Sequence, residues 1–299
     1  MTTRRGLLVY NPVAGRGDRR AAVEALAARA AARGLALELL PTTRAGEAPD
    51  LVAARLGDHL DVVVAAGGDG TVGEVAGALV GTAVFLAVFP LGTTNVVARE
   101  FGLAGADAAE AALHSQRTAT LSVWPAAGRT SLIGTGVGFD ARVMGNTVPV
   151  LKRLFGRAGI GWTATMEWLK YEFPPIEVTG TDAAGNAFRR EATFVLSANT
   201  RRYGGDAILS PDADPGDDLL DLVLFTSRST LDLLRFYRLL PRGRAEQLQV
   251  RGVDRLPVRS FSARSLAGYE LEVQVDGDAA PKTPVTVGPA LGHVRLLVP

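Results

Sequence analysis

The segment Val62–Leu79 joins a strand-like apolar run to a helical pattern through a turn that holds three glycines. Its sequence is VVVAAGGDGTVGEVAGAL, and the apolar run shows no polar alternation. Such a run is typical of a strand that is covered on both faces of a parallel sheet. A tight turn needs only one or two glycines, so the surplus indicates that something other than protein approaches this backbone.

Strand and helix patterns of this kind alternate through the first 120 residues, and from about residue 118 the pattern changes to short strands separated by turns. The alternation favours a parallel sheet built from strand–helix–strand units, and the later part favours antiparallel strands. The sequence therefore predicts an α/β fold class, with an N-terminal parallel-sheet domain over 1–120 and a mainly antiparallel β domain over 121–299. A length of 299 residues is ample for two hydrophobic cores.

Composition excludes several classes of function. The chain has no cysteine, which excludes thiolate metal sites, disulfides and cysteine nucleophiles. Its net charge of +1 creates no strong field for nucleic acid, so we expect no nucleic-acid partner. No segment approaches ~18 uninterrupted apolar residues, and the N-terminal apolar run is too short for a signal peptide. These features predict a cytoplasmic location.

Three loops with unusual chemistry follow predicted strands, and they span Asn11–Gly17, Gly67–Thr71 and Pro90–Asn95. In a parallel α/β sheet, ligands bind beyond the carboxyl ends of the strands, so we expect these loops at one edge. Glycine lets backbone N–H groups approach a phosphate, and a helix N-terminus adds positive partial charge. The three loops together favour a nucleotide polyphosphate, and three ordinary strand–helix turns are the structural alternative.

Neither common phosphate-binding motif fits these loops. A Walker A loop requires a lysine, and the only lysines of the chain are Lys152, Lys170 and Lys282. The spacing G-x-G-x-x-G does not follow the first predicted strand. A phosphate site in the first half must therefore use arginine, backbone N–H groups and hydroxyls.

Asp69 is the unusual residue of the glycine-rich turn, because a carboxylate in an anion-binding loop repels phosphate. A Mg²⁺ ion or a hydrogen-bonded hydroxyl between the two groups would remove that repulsion. We therefore expect a catalytic role for Asp69, in which it bridges phosphate oxygens through Mg²⁺ or orients the group that accepts the phosphate. The structural alternative is that Asp69 caps the helix that starts near Thr71.

Seven stretches of the chain together resemble the catalytic family of diacylglycerol kinases, which includes bacterial lipid kinases and sphingosine kinases. They are NPVAGRG, TTRAGEA, GGDGTVGEV, PLGTTNVVAREFGL, GVGFDARV, NTRRYGGDAILSPDADPGDDLLDLVLF and VQVDGD. The resemblance implies an ATP-dependent lipid kinase with a C-terminal β-sandwich, a lipid alcohol such as diacylglycerol or a sphingoid base as substrate, and Mg²⁺ as cofactor. NAD kinases carry a loop similar to GGDGT, so an NAD kinase-like enzyme stays open, as does an inactive regulator that binds nucleotide or lipid.

The resemblance also implies which residues contact ATP. They lie in the loops of the first domain and are Asn11, Pro12, Gly15, Arg16, Thr42, Gly67, Gly68, Asp69, Gly70, Thr71, Val72, Gly73, Glu74, Gly92, Thr93 and Asn95.

For catalysis the resemblance points to the late VDGD motif. Asp278 stands where the family usually has a glutamate that accepts the substrate proton, and it is one methylene shorter. Either the site is slightly rearranged around Asp278, or Asp276 takes more of the catalytic work. The stretch DADPGDDLL falls where relatives hold a structural Mg²⁺, which implies Asp214, Asp217 and the carbonyl of Leu219 as metal ligands. A solvated acidic loop is the alternative for that stretch.

Two cationic stretches mix basic with apolar side chains and predict peripheral association with an anionic membrane. The cations of the first stretch, residues 150–173, are Lys152, Arg153, Arg157 and Lys170. Those of the second, residues 228–244, are Arg228, Arg235, Arg238, Arg242 and Arg244. The alternative is that both stretches form helices that simply pack on the β domain. The sequence leaves the oligomeric state open, with a homodimer as one option.

Overall fold

The structure is a computed structural model that describes residues 4–12, 19–146, 170–240 and 250–299. The chain divides into two compact units, one of residues 1–123 with 291–299 and one of residues 124–290. The domain limits 1–120 and 121–299 stay a prediction. The limits of the two units differ from these predicted limits chiefly because the last strand of the chain pairs with strands of the first unit.

The first unit is built on a largely parallel sheet. Its strands are β1 (Arg4–Tyr10), β2 (Leu35–Pro41), β3 (Val62–Gly67), β4 (Phe85–Pro90), the first part of β5 (Thr118–Ala126) and β18 (Gly292–Leu297). The strand order is β5-β18-β4-β3-β1-β2. Strand β18 runs parallel to β4 and antiparallel to β5, whereas β1 to β4 are mutually parallel where they pair.

Five α-helices and a 3₁₀ turn at Leu56–Asp58 connect the described strands of the first unit. The helices are α1 (Arg19–Ala32), α2 (Ala48–Ala53), α3 (Asp69–Leu79), α4 (Val96–Glu100) and α5 (Ala106–Leu113). Leu8 of β1 and Val64 of β3 pack in one core with Val23 and Leu26 of α1. The apolar stripe of α1 thus covers the sheet, which explains why the strands are continuous apolar runs.

The second unit is a set of short strands with two described helices. The strands are β6 (Arg129–Ser131), β7 (Thr135–Val137), β8 (Ile176–Asp182), β9 (Ala187–Ala192), β10 (Phe194–Ala198), β11 (Arg202–Tyr203), β12 (Ala207–Ile208), β13 (Leu220–Phe225), β14 (Val253–Ser265), β15 (Val273–Val275), β16 (Asp278–Ala280) and β17 (Val285–Val287). The helices are α6 (Phe139–Asn146) and α7 (Thr230–Leu239).

The described strands of this unit pair in antiparallel fashion, in the order β16-β15-β7-β10-β13-β14-β17, with β8 beside both β14 and β9. One core contains Trp124, Leu222 and Phe261. The other is rich in aromatic rings and joins α6 and α7 to the sheet, with Phe194 stacked on Phe225 at a centroid distance of 5.0 Å. The predicted fold class, a parallel-sheet α/β domain followed by a mainly antiparallel β-sandwich domain, is confirmed.

No helix in the parts of the chain that the structure describes is long and apolar enough to cross a membrane.

Candidate active site

Two of the three predicted loops meet at the carboxyl ends of β3 and β4. Gly67 and Pro90 are paired in register at the ends of these strands, and the N–H of Leu91 donates to the carbonyl of Gly67 over 2.9 Å. Beyond the pair, Gly68 and Gly92 pack backbone to backbone, because a Cβ on Gly92 would lie 2.6 Å from the Cα of Gly68. The second and third loops therefore form one continuous backbone surface.

The first predicted loop is described only at its start. Asn11 and Pro12 follow β1, whose strand neighbour β3 carries the loop of Gly67. Gly15 and Arg16 lie outside the described residues, so their contacts with ATP stay a prediction.

Asp69 ties the second and third loops together. Its Oδ2 accepts a hydrogen bond from the N–H of Val96, and its Oδ1 accepts one from the N–H of Val97, both over 3.0 Å. These N–H groups open α4, where the helix dipole favours a negative charge. Two backbone donors therefore offset part of the charge of Asp69, and its catalytic role stays a prediction.

The structural alternative places Asp69 at the N-cap of its own helix. Helix α3 begins at Asp69 itself, and its N-cap residue is Gly68. The carboxylate of Asp69 accepts hydrogen bonds from the first turn of helix α4, whose own N-cap residue, Asn95, makes no side-chain cap.

Asn95 closes the third loop on itself. Its backbone is left-handed, with φ of 49°, and its Oδ1 accepts a hydrogen bond from the N–H of Gly92 over 3.0 Å. Its Nδ2 donates to the carbonyl of Gly92 over 2.9 Å. The side chains of Asp69 and Asn95 therefore hold the shape of the loops, whereas Gly70 and Thr93 are exposed on them.

Other predicted ATP contacts also have structural partners. Thr42 is buried, and its N–H donates to the carbonyl of Tyr10 over 2.9 Å. The carboxylate of Glu74 accepts hydrogen bonds from the N–H groups of Gly46, over 2.8 Å, and Ala48, over 3.4 Å. Glu74 thus fastens the segment after β2 to α3. Val72 and Gly73 are buried within α3, so any contact they make with ATP must be through the backbone.

The VDGD motif forms the hairpin between β15 and β16. Val275 pairs with Asp278, and the two residues between them have positive φ angles, 52° at Asp276 and 86° at Gly277. A two-residue hairpin with two positive φ angles is a type I′ turn, which favours Asp-Gly because glycine adopts it without strain.

Asp276 accepts four hydrogen bonds from residues 131–134. Its Oδ1 accepts from the hydroxyl of Ser131, over 2.7 Å, and from the N–H groups of Ile133 and Gly134, over 3.0 and 2.9 Å. Its Oδ2 accepts from the N–H of Leu132 over 2.8 Å. Burial raises the pKa of Asp276, and these four donors oppose that rise.

The hairpin thus gives its two acids different surroundings. Asp276 is half-buried, and both of its carboxylate oxygens accept hydrogen bonds from the segment 131–134. Asp278 is exposed at the start of β16, and its carboxylate has no hydrogen-bond or ion-pair partner in the described parts of the chain. The geometry favours Asp278 over Asp276 as a group that exchanges a proton with a ligand.

Sequence reasoning missed a second buried acid near this hairpin. Asp140 of α6 is buried, and burial raises its pKa to about 7, opposed by a hydrogen bond from Gln274. Gln274 lies in β15 and its Nε2 donates to Oδ2 of Asp140 over 2.9 Å. The available signals were an acid inside the glycine-rich stretch GTGVGFDA and a lone amide inside the apolar strand LEVQV.

The predicted metal ligands lie in the loop before β13. The N–H of Gly216 donates to Oδ1 of Asp214 over 2.9 Å, and the N–H of Leu219 donates to Oδ1 of Asp217 over 3.0 Å. Burial raises the pKa of Asp217, and the charges of Asp214, Asp221 and Asp218 raise it further. Within the described residues, no cluster of three or more acidic or histidine side chains is arranged to hold a metal.

Of the two predicted membrane stretches, only parts are described. Residues 150–169, with Lys152, Arg153 and Arg157, lie outside the described residues, as do Arg242 and Arg244. Helix α7 lies within the second stretch, and its Leu233 and Phe236 are buried in the aromatic core. The opposite face exposes Leu231 at 64 % and Leu234 at 37 %, together with Arg235 and Arg238.

Comparisons with known proteins agree with this architecture. A family model described as "Diacylglycerol kinase catalytic domain" matches residues 5–124, and one described as "YegS C-terminal NAD kinase beta sandwich-like domain" matches residues 134–298. A protein named diacylglycerol kinase from Mycobacterium tuberculosis is 28 % identical over 298 residues, covering 97 % of this chain and 93 % of that protein.

Further similarity extends to another relative and to a solved structure. A Pseudomonas aeruginosa protein named "probable lipid kinase YegS-like" is 31 % identical over 287 residues, covering 91 % of each chain. The crystal structure of a diacylglycerol kinase from Bacillus anthracis shares the fold, with a TM-score of 0.70 at 21 % identity, covering 99 % of this chain and 97 % of that one. The chain belongs to the diacylglycerol kinase catalytic-domain family and is a lipid kinase.

Replacing Asp69 tests the bridge between the loops. In Asp69→Asn, one side-chain oxygen is exchanged for an NH₂ group, so one of the two N–H groups at the start of α4 loses its acceptor. We expect phosphoryl transfer to fall by about two orders of magnitude, since displaced catalytic loops cost that much. Unfolding stability should fall by only about 1 kcal/mol, the usual effect of a lost cap. Transfer assays and urea unfolding measure the two quantities.

The matched control is Asp50→Asn, which neutralises an exposed acid in the first turn of α2. It should leave both quantities unchanged. If Asp69→Asn turns over as fast as the wild type, the bridge has no part in the activity.

Proposed function

We propose that this lipid kinase transfers the γ-phosphoryl group of ATP to the hydroxyl of a lipid such as diacylglycerol or a sphingoid base. The observation that carries the proposal is the VDGD hairpin, where Asp276 accepts four hydrogen bonds and fixes a turn that presents an exposed carboxylate at Asp278. The Mycobacterium tuberculosis relative named diacylglycerol kinase is similar over 97 % of this chain, which makes diacylglycerol the first lipid to test.

The first unit supplies the phosphate-binding surface. Glycines at positions 67, 68 and 92 let the two loops pack closely, because a Cβ at Gly67 would meet Thr71 and one at Gly92 would meet Gly68. The N-terminus of α3 adds positive partial charge to the surface that these loops form. No lysine occurs before Lys152, so backbone N–H groups and hydroxyls, such as that of the exposed Thr93, carry most of the recognition. Such chemistry depends on positioning and charge neutralisation rather than on covalent catalysis.

Asp278 acts as the proton acceptor. The lipid hydroxyl oxygen forms a bond to the γ-phosphorus, the bond between that phosphorus and the β–γ bridging oxygen breaks, and the hydroxyl proton moves to the carboxylate of Asp278. Asp276 holds the turn through its hydrogen bonds with residues 131–134. A positioned general base is worth about 10²–10⁴-fold in rate.

Asp214, Asp217 and the Leu219 carbonyl fit a hydrated Mg²⁺ ion in chemical type. All three are oxygen donors, and mutual repulsion among the acids of this loop contributes to the raised pKa of Asp217, which a cation would relieve. A bound Mg²⁺ there would stabilise the loop before β13. Near the phosphates, Mg²⁺ supplied with ATP would neutralise charge.

Transfer of label from γ-labelled ATP across a panel of lipids in mixed micelles tests the proposal. The panel contains diacylglycerol, a sphingoid base, ceramide and, as the competing acceptor, NAD. We expect label in a lipid and none in NAD. Label in NAD alone, or ATP binding without transfer to any acceptor, would contradict the proposal.

Replacing Asp278 tests the role of the proton acceptor. Asp278→Ala removes the exposed carboxylate of the motif, so kcat should fall by about two orders of magnitude or more, with little change in the KM for ATP. Asp278→Glu restores the residue usual in the family and should retain activity. A fully active Asp278→Ala enzyme would remove Asp278 from the mechanism.

The exposed face of α7 supports peripheral association with an anionic membrane. Leu231 and Leu234 are apolar and exposed, and Arg235 and Arg238 lie on the same short helix. Apolar side chains beside cations suit the headgroup boundary, where each cation near the surface contributes about 1 kcal/mol. The cytoplasmic location stays a prediction, and the oligomeric state stays open, with a homodimer as one option.

Charge removal on α7 tests this membrane face. Arg235→Gln with Arg238→Gln should weaken sedimentation with phosphatidylserine-containing vesicles by about tenfold at low salt, and less at high salt because of screening. The control replaces two exposed arginines elsewhere in the unit, Arg190→Gln with Arg259→Gln. Equal binding by both double variants would place the membrane contact elsewhere.

A further inference from the structure

Gln274 links a buried acid to the hairpin that carries Asp278. It is 4 % exposed, and its Nε2 donates to Oδ2 of Asp140 over 2.9 Å. Its Oε1 accepts a hydrogen bond from the N–H of Gly277 over 2.7 Å. Both polar ends of the amide are therefore satisfied, as burial of an amide requires. We call this chain of contacts the Asp140–Gln274 link.

Gly136 makes room for the link. It lies in β7 and is paired in register with Gln274 of β15. A Cβ at Gly136 would lie 2.7 Å from Nε2 of Gln274 and 2.9 Å from Oδ2 of Asp140. A larger residue would push these two side chains apart, so the glycine is required by the hydrogen bond between them.

Packing alone does not explain Asp140. It is 3 % exposed, and Gln274 is its one hydrogen-bond partner within the described residues. A buried carboxylate with a single neutral partner costs stability relative to an apolar side chain of similar size. Burial raises the pKa of Tyr237 in α7, and the charge of Asp140 raises it further. The surroundings are therefore costly for an acid.

The link ends at the residue next to Asp278. Gly277 is the second residue of the type I′ turn, and its φ angle of 86° sets the direction in which the backbone enters β16. Residues 131–134 hold the turn at Asp276, and Gln274 holds it at Gly277. The side chain of Asp278 has no such support of its own among the described residues.

We propose that Asp140 is a positioning residue that acts through Gln274 and the N–H of Gly277 to orient the carboxylate of Asp278. This inference rests on the proposed function, because it takes Asp278 as the proton acceptor. The geometric part of the link can be measured separately from activity.

Two substitutions of Asp140 separate the hydrogen bond from the bulk of the side chain. Asp140→Leu removes the acceptor of Gln274 but fills a similar volume, whereas Asp140→Asn keeps an acceptor oxygen. We expect Asp140→Leu to lower kcat about tenfold, on the scale of a slightly misplaced catalytic group, with an unchanged KM for ATP. The amide hydrogen of Gly277 should exchange faster in Asp140→Leu. Asp140→Asn should retain most of kcat and of the protection.

Gln274→Leu breaks the same link without touching Asp140 and should give the same two changes. This second variant keeps the test decisive if Asp140→Leu does not fold. The control is Glu177→Gln, which weakens the ion pairs of a buried acid with Arg189 and Arg264 in the same unit. Glu177→Gln should leave kcat and exchange at Gly277 unchanged.

A double-mutant cycle with Asp278→Ala decides whether Asp140 acts through Asp278. The tenfold loss from Asp140→Leu should disappear when Asp278 is already absent, because coupled residues are not additive. The same loss in both backgrounds, or an unchanged kcat in Asp140→Leu beside an impaired Asp278→Ala, would overturn the inference and leave the proposed function standing. A fully active Asp278→Ala would overturn the proposed function itself.

Discussion

Asp276 accepts four hydrogen bonds from the segment 131–134, and the arrangement of the candidate catalytic hairpin depends on that interaction. Burial alone would make a carboxylate costly at this position, and the four donors offset much of that cost. The contact also joins β15 and β16 to the residues that lead into β7. The turn of Asp276 and Gly277 is thereby fixed, and Asp278 emerges from it into solvent.

The first unit uses the same physical device. Asp69 places its two carboxylate oxygens on the N–H groups of Val96 and Val97, and so fastens the GGDGT loop to the start of α4. In both units a carboxylate accepts hydrogen bonds from another segment of the chain, mostly from backbone N–H groups. Each acid thereby stabilises a loop whose exposed groups are free to meet a ligand. Asp69 and Asp276 therefore both have a structural role in their glycine-rich loops.

Much of the fold could be predicted from local patterns. The unbroken apolar run at residues 62–66 becomes the buried strand β3, and the turn signal in TDAAGN becomes the hairpin between β8 and β9. Apolar runs and turn residues act over a few neighbouring positions, so they can be recognised in the sequence. The resemblance to lipid kinases, carried by motifs along most of the chain, supplied the enzyme class that the family comparisons show.

Long-range partners could not be predicted. The donors to Asp69 lie 27 and 28 residues along the chain, so local capping rules assigned the acid to its own helix. Strand β18 resembles any other short strand, and nothing in its sequence indicates that β4 and β5 would be its neighbours. The role of Asp140 depends on Gln274, 134 residues away, and burial of an acid cannot be recognised from adjacent residues.

The most direct test of this account compares the unfolding free energies of Asp276→Asn and Asp278→Asn at neutral pH. The Asp276→Asn substitution would set a side-chain NH₂ group against backbone N–H donors, so we expect a loss of about 3 kcal/mol or more, as for other broken buried charge networks. Asp278→Asn changes an exposed side chain and should stay within about 0.5 kcal/mol of the wild type. Equal stabilities for the two variants would contradict the claim that Asp276 organises the hairpin from which Asp278 acts.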